Sequence, residues 1–136
     1  MILLNIKGDY GMNGKYLLDT NAIINILKEK NKRYDSQLRE QEFFISIISE
    51  IELLCYPFLT DEEDHEIRNF LKNLCIIAID TDIKELTIQL KRKRNIKLPD
   101  AVICATALSH KLILVTDDQR LYKIPDIDTI SLKNLN

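Results

Sequence analysis

Residues 15–27 read KYLLDTNAIINIL. Lys15–Leu18 is a short, mostly apolar run of strand character, and Ala22, Ile23, Ile26 and Leu27 follow it at helical spacing. Asp19 stands at the join, where a strand's C-terminal end meets a helix N-terminus. A strand that runs straight into a helix is the building unit of parallel α/β sheets, so this stretch predicts an α/β domain.

The same alternation continues outward. Phe43–Ile47 (FFISI), Cys75–Ile79 (CIIAI) and Leu112–Val115 (LILV) are clear strand candidates, and Asp126–Ile130 (DIDTI) is a weaker, edge-like one. The middle runs are apolar on both faces, which predicts strands buried within a parallel sheet. Between them, Ile48, Ile51 and Cys55 mark one helix face. Asp61–Leu74 opens with acids, and Thr81–Lys93 opens with Thr-Asp and ends in bases, each matching the helix dipole. Pro99 suits the first turn of a helix over Asp100–His110. The pattern predicts a single domain over 15–136 with a mainly parallel sheet layered by helices.

The chain has 136 residues, 46% apolar and 29% charged, within the range of one ordinary domain. Nineteen basic and 21 acidic residues leave a net charge of −2, and the pI is near 5.7, which excludes a strongly basic nucleic-acid coat. No apolar run is long enough to span a membrane. Without the zones of a signal peptide at the N-terminus, a cytoplasmic location is expected. Cys55, Cys75 and Cys104 form no C-x-x-C pair and are expected to be reduced and mostly buried. Residues 1–14 hold all three glycines, Gly8, Gly11 and Gly14, and read as an extension. Lys7-Gly8-Asp9 can be encoded with an AGGAG a few bases before the Met12 codon, so natural translation is expected to start at Met12, with residues 1–11 as upstream sequence.

The chemistry lies in the acids. Asp19 and the pair Asp117–Asp118 follow candidate strands, at the sheet edge where ligands of open α/β folds collect. Asp100 opens a helix over the small apolar face of Ile103, Cys104 and Ala107. Glu50 and Glu52 lie in an otherwise apolar stretch, and helical phasing does not choose between them. Asp80 is expected to cap the next helix. Carboxylates converging in one pocket repel each other, and hard oxygen ligation of Mg²⁺ or Mn²⁺ is the chemistry that reconciles them. His65 and His110 match no catalytic pattern. Lys91-Arg92-Lys93-Arg94, with Lys97, ends a helix before Asp100 and is a candidate phosphate-binding stretch.

Four blocks occur in a familiar order: Leu17-Leu18-Asp19-Thr20-Asn21; Ser46-x-Ile48-Ser49-x-x-Glu52-Leu53; Leu98-Pro99-Asp100-Ala101-x-x-x-Ala105-Thr106-Ala107; and Leu114-Val115-Thr116-x-Asp118. The set resembles the PIN domain, and more narrowly the VapC ribonuclease toxins of prokaryotic toxin–antitoxin pairs. The resemblance runs from about Lys15 to the C-terminus. It implies a three-layer α/β/α sandwich with a five-stranded, mainly parallel sheet. It implies a metal site of Asp19, Glu52, Asp100 and Asp118, supported by Thr20, Asn21 and Thr116, with Glu50 and Asp117 as alternative acids. Cys55-Tyr56-Pro57-Phe58 departs from the small residue common after the Glu-Leu pair. By resemblance, the partners are an RNA substrate, a small cognate antitoxin encoded immediately upstream, and a second copy in a homodimer.

The activity implied is Mg²⁺- or Mn²⁺-dependent endoribonuclease cleavage. With no plausible His pair, the route through the RNA 2′-hydroxyl is disfavoured, and 5′-phosphate and 3′-hydroxyl ends are expected. The alternative is a catalytically silent PIN-like module that binds RNA or protein. A phospho-acceptor receiver domain ranks lower, because its acid pair belongs after the first strand, whereas here the adjacent pair follows the fourth.

Overall fold

Strand and helix alternate as the sequence predicts, and the boundaries follow local chemistry. The structure, a computed structural model, describes residues 14–29, 34, 38 and 41–135. Its elements are β1 (Lys15–Leu18), α1 (Thr20–Lys28), β2 (Glu42–Ser46), α2 (Ile47–Leu54), α3 (Asp61–Leu71), β3 (Cys75–Ile77), α4 (Thr81–Lys93), α5 (Leu98–His110), β4 (Ile113–Val115), α6 (Gln119–Tyr122) and β5 (Thr129–Ile130), followed by a 3₁₀ turn over Leu132–Asn134. The expected extension over 1–14 lies, apart from Gly14, outside the described residues.

The five strands form one sheet in the order β3-β2-β1-β4-β5, and every pairing is parallel. Side chains alternate across it with the two-residue period of a strand. Tyr16, Leu18, Phe43, Ile45, Ile113 and Val115 enter one core, with Ala22, Ile23 and Ile26 of α1 and Leu53 of α2. Leu17 and Leu114 enter the opposite core, with Ile103, Cys104 and Ala107 of α5 and Leu121 of α6. The result is the three-layer α/β/α sandwich.

Polar side chains cap every α-helix named above except α5, which opens on Leu98-Pro99 without a side-chain cap. Asp19, Ser46, Asp80 and Asp118 each accept a backbone N–H as N-caps, and Thr60 with Glu63 closes a reciprocal capping box on α3. Because Ser46 caps α2, Ile47 belongs to the helix and not to the preceding strand. Every residue of α5 from Ala101 to Ala107 is buried, since α5 lies between the sheet and α4. The buried hydroxyls of Thr106 and Thr87 donate to the carbonyls of Val102 and Ile83, four residues back.

Two expectations are corrected. The CIIAI run is not an interior strand: β3 is the sheet edge, and Ile76 and Ile79 are exposed. An apolar run alone cannot tell a central strand from an edge whose outer face lacks cover. Nor are the cysteines mostly buried. Cys75 lies on that edge and Cys55 ends α2 at the surface, so only Cys104 is buried. Among the described residues no helix is long and apolar enough to cross a membrane.

Candidate active site

The strand order sets the position of the site. From β1 the chain moves outward through β2 to β3, then returns to build β4 and β5 on the other side of β1. The connections leaving the adjacent C-terminal ends of β1 and β4 therefore run to opposite sides, a topological switch point where open α/β sheets form a crevice. Asp19 leaves β1 there, and Thr116, Asp117 and Asp118 leave β4. The backbone N–H of Asp19 donates to the Val115 carbonyl at 3.1 Å and ties the two exits together.

A cleft of about 210 Å³ opens at this point, lined by Asp19, Glu52, Asp100 and Asp118. Four elements contribute one acid each: the start of α1, the last turn of α2, the first turn of α5 and the cap of α6. Thr20 and Asn21 also line it. Glu50 is not among its lining residues. Asp117 accepts a short hydrogen bond from the Ser131 hydroxyl, so its carboxylate is drawn toward the β5 side. Asp80 serves as the cap expected of it, accepting from the Ile83 N–H at 2.8 Å.

Each acid is held differently. Asp19 is buried, and its carboxylate accepts the Ala22 N–H at 2.6 Å. Burial pushes its pKa up; the hydrogen bonds from the Thr116 hydroxyl and the Ala22 amide pull it down, and the charges of Asp117 and Asp100 raise it again. Asp100 is raised first by burial and then by the Asp118 charge, against the opposing pull of Arg120. Asp118 is lowered, because Arg120 hydrogen-bonds its carboxylate. Glu52 accepts the Thr20 hydroxyl at 2.8 Å, and Thr20 also lies 2.9 Å from the buried Ser49 hydroxyl. Beneath them the Cys104 thiol is pushed up to about 12 by burial and by the fields of Asp100, Asp118 and Asp19. Cys104 is not among the residues that line the cleft.

The donors facing the cleft are carboxylate, hydroxyl and amide groups, without histidine or thiolate. That set suits a hard cation such as Mg²⁺ or Mn²⁺. It is not drawn together as a finished cage: among the described residues no three of the Asp, Glu, His and Cys side chains stand close enough to clasp an ion. Asp118 is turned onto Arg120 and Glu52 onto Thr20.

The basic stretch divides. Lys97 lines the acidic cleft. Lys93 and Arg94 line a separate groove with Leu108, Ile124 and Asp126, and Lys91 donates to the Ile96 carbonyl at 2.7 Å. Arg120 and Ser49 are the residues whose roles the sequence reading passed over. The signal for Arg120 was present: a base two residues after an Asp that caps a helix can fold back onto that cap.

A family model described as PIN domain matches residues 16–127. No curated protein matches the chain. Among solved structures, the chain is similar to a toxin-antitoxin complex from Klebsiella pneumoniae, with 28% identity, 86% of this chain and 97% of that one covered, and a TM-score of 0.72. It is also similar to DNA-bound VapBC from Salmonella typhimurium, with 26% identity, 88% and 98% covered, and a TM-score of 0.72. VapBC2 from Rickettsia felis, bound to a DNA fragment from its promoter, shares the fold at 21% identity, with 86% and 98% covered and a TM-score of 0.70.

Proposed function

The chain belongs to the PIN-domain family, and from that premise we propose that it is a divalent-metal-dependent endoribonuclease, the toxin of a toxin–antitoxin pair. The observation that carries this reading is the convergence of Asp19, Glu52, Asp100 and Asp118 from four elements on one cleft. A fold gains nothing in stability by gathering carboxylates away from water: burial first, and the neighbouring acids after it, raise Asp19 and Asp100.

Asp19, Asp100 and Asp118, with Glu52, would hold Mg²⁺ or Mn²⁺. A cation bound there supplies Lewis-acid charge that lowers the pKa of an attacking water and offsets charge on the scissile phosphate. The chain's own groups do the positioning. The Ala22 amide and the Thr116 hydroxyl fix the Asp19 carboxylate. The Thr20 hydroxyl donates to the Glu52 carboxylate. Lys97 and Arg120 bring positive charge to the same cleft, where an RNA phosphate would enter. The cleft offers no imidazole to take the 2′-hydroxyl proton, which favours attack by water with the 3′-oxygen leaving.

The Klebsiella and Salmonella structures are toxin–antitoxin assemblies. We extend that pairing to this chain, with a small cognate antitoxin as inhibitory partner, and add a homodimer as the working form from the family resemblance alone. The test is cleavage of mixed single-stranded RNA by the purified protein. Mg²⁺ or Mn²⁺ should support cutting. Asp100→Asn should slow it roughly a hundredfold or more, the scale of a few kcal/mol of lost electrostatic stabilisation. RNA that binds yet stays intact with either metal would replace the nuclease with a silent RNA-binding module.

A further inference from the structure

Arg120 occupies an unusual place for a surface base. Its Nε and Nη2 donate to Oδ1 and Oδ2 of Asp118 at 3.0 and 2.6 Å, a bidentate fork. The same Nη2 lies 3.8 Å from Oδ2 of Asp100. The Arg120 backbone N–H adds a third bond to Asp118 Oδ1, at 3.0 Å. Both oxygens of Asp118 are thus engaged by a cation of the chain's own, which also faces a second carboxylate of the cleft. The Arg120 side chain is 63% exposed, so packing does not lock it in this position.

We propose that Arg120 is an internal counter-ion that competes with the divalent cation for Asp118 and Asp100, so that metal loading requires its guanidinium to swing away. This rests on the metal-dependent reading of the cleft. The physical basis is charge balance: acids gathered at a switch point need a cation, and a guanidinium satisfies a carboxylate pair without an ion from solution. Oδ1 of Asp118 already accepts two donors and Oδ2 a third, so a hard cation seeking both oxygens meets occupied lone pairs and a like charge. The guanidinium thereby sets the ion concentration at which the cleft fills.

A merely structural arginine would weaken metal binding when removed. Competition makes the opposite demand. Arg120→Gln keeps a polar side chain of similar length but removes the charge and the fork. In calorimetric titration with Mn²⁺ alone, the variant should bind at least threefold more tightly than the wild type. In the wild type, the Arg120 Nε–Hε resonance, identified by its loss in Arg120→Gln, should move on Mg²⁺ addition and saturate with metal binding. Equal or weaker Mn²⁺ affinity in the variant overturns the proposal, as does an Arg120 resonance unmoved at saturating Mg²⁺. Either result leaves the metal reading standing, provided the wild type binds the ion. Absence of Mn²⁺ binding in both chains overturns the metal reading and the counter-ion together.

Discussion

Asp100 sits on the first turn of α5, within reach of the charges of Asp118, Arg120, Glu52 and Lys97. Burial and Asp118 raise its pKa above the ordinary 3.8. The folded metal-free protein therefore holds this proton more tightly than the unfolded chain does. Stability falls as pH rises through the window from the unfolded pKa to the folded one, and the penalty stays in full above it. Below both values Asp100 is neutral in either state and imposes none. Asp100→Asn should accordingly raise the Tm in EDTA at pH 7, and calorimetry should show the gap closing as pH falls toward 4. A gap that widens on acidification would contradict the assignment. Asp19 is raised and has the same sign. Asp118 is lowered by Arg120 and has the opposite one: its contribution is present above the unfolded pKa and lost as pH falls through the folded value. One variant thus separates two roles of Asp100, because chemistry should suffer where metal-free stability gains.

At the scale of elements, the connection between α4 and α5 decides which bases reach the acidic cleft, where the proposed RNA substrate would bind. Arg94 (φ −138°, ψ 148°) and Lys97 (φ −69°, ψ 153°) are both extended. Three residues span at most about 10 Å when fully extended. The end of α4 is carried to the groove beside Leu108 and Ile124, while Lys97 returns to the acidic cleft. Lys97→Gln should therefore weaken binding of single-stranded RNA and lower the salt slope of log Kd by roughly 0.7. The double change Lys93→Gln with Arg94→Gln should do less, and a salt titration that ranks them the other way would restore the whole stretch as the RNA contact. The sequence places these bases next to Asp100 along the chain, and backbone torsions that no periodicity reveals move them apart. Helix starts were legible because capping is local: Asp19 and Asp80 each reach a backbone N–H three residues on. The edge position of β3 was not, since strand order is a tertiary property. That Glu52 lines the cleft was not legible in helical phasing either, since it depends on tertiary placement beside Thr20, 32 residues away.

For the molecule as a whole, the strand order β3-β2-β1-β4-β5 makes the site. It sets the ends of β1 and β4 side by side, and α2 and α5 deliver Glu52 and Asp100 to the same crevice. The four ordered motif blocks were readable in one dimension; their convergence, and the guanidinium between two of the acids, needed three. The central claim is hydrolysis of an RNA phosphodiester by water at this acidic cleft, with the 2′-hydroxyl as a bystander. Mass spectrometry of the cleaved RNA termini tests it most directly. Fragments produced with Mg²⁺ or Mn²⁺ should carry 5′-phosphate and 3′-hydroxyl ends, and none should form in EDTA. Fragments ending in 2′,3′-cyclic phosphate, or formed undiminished in EDTA, would contradict it.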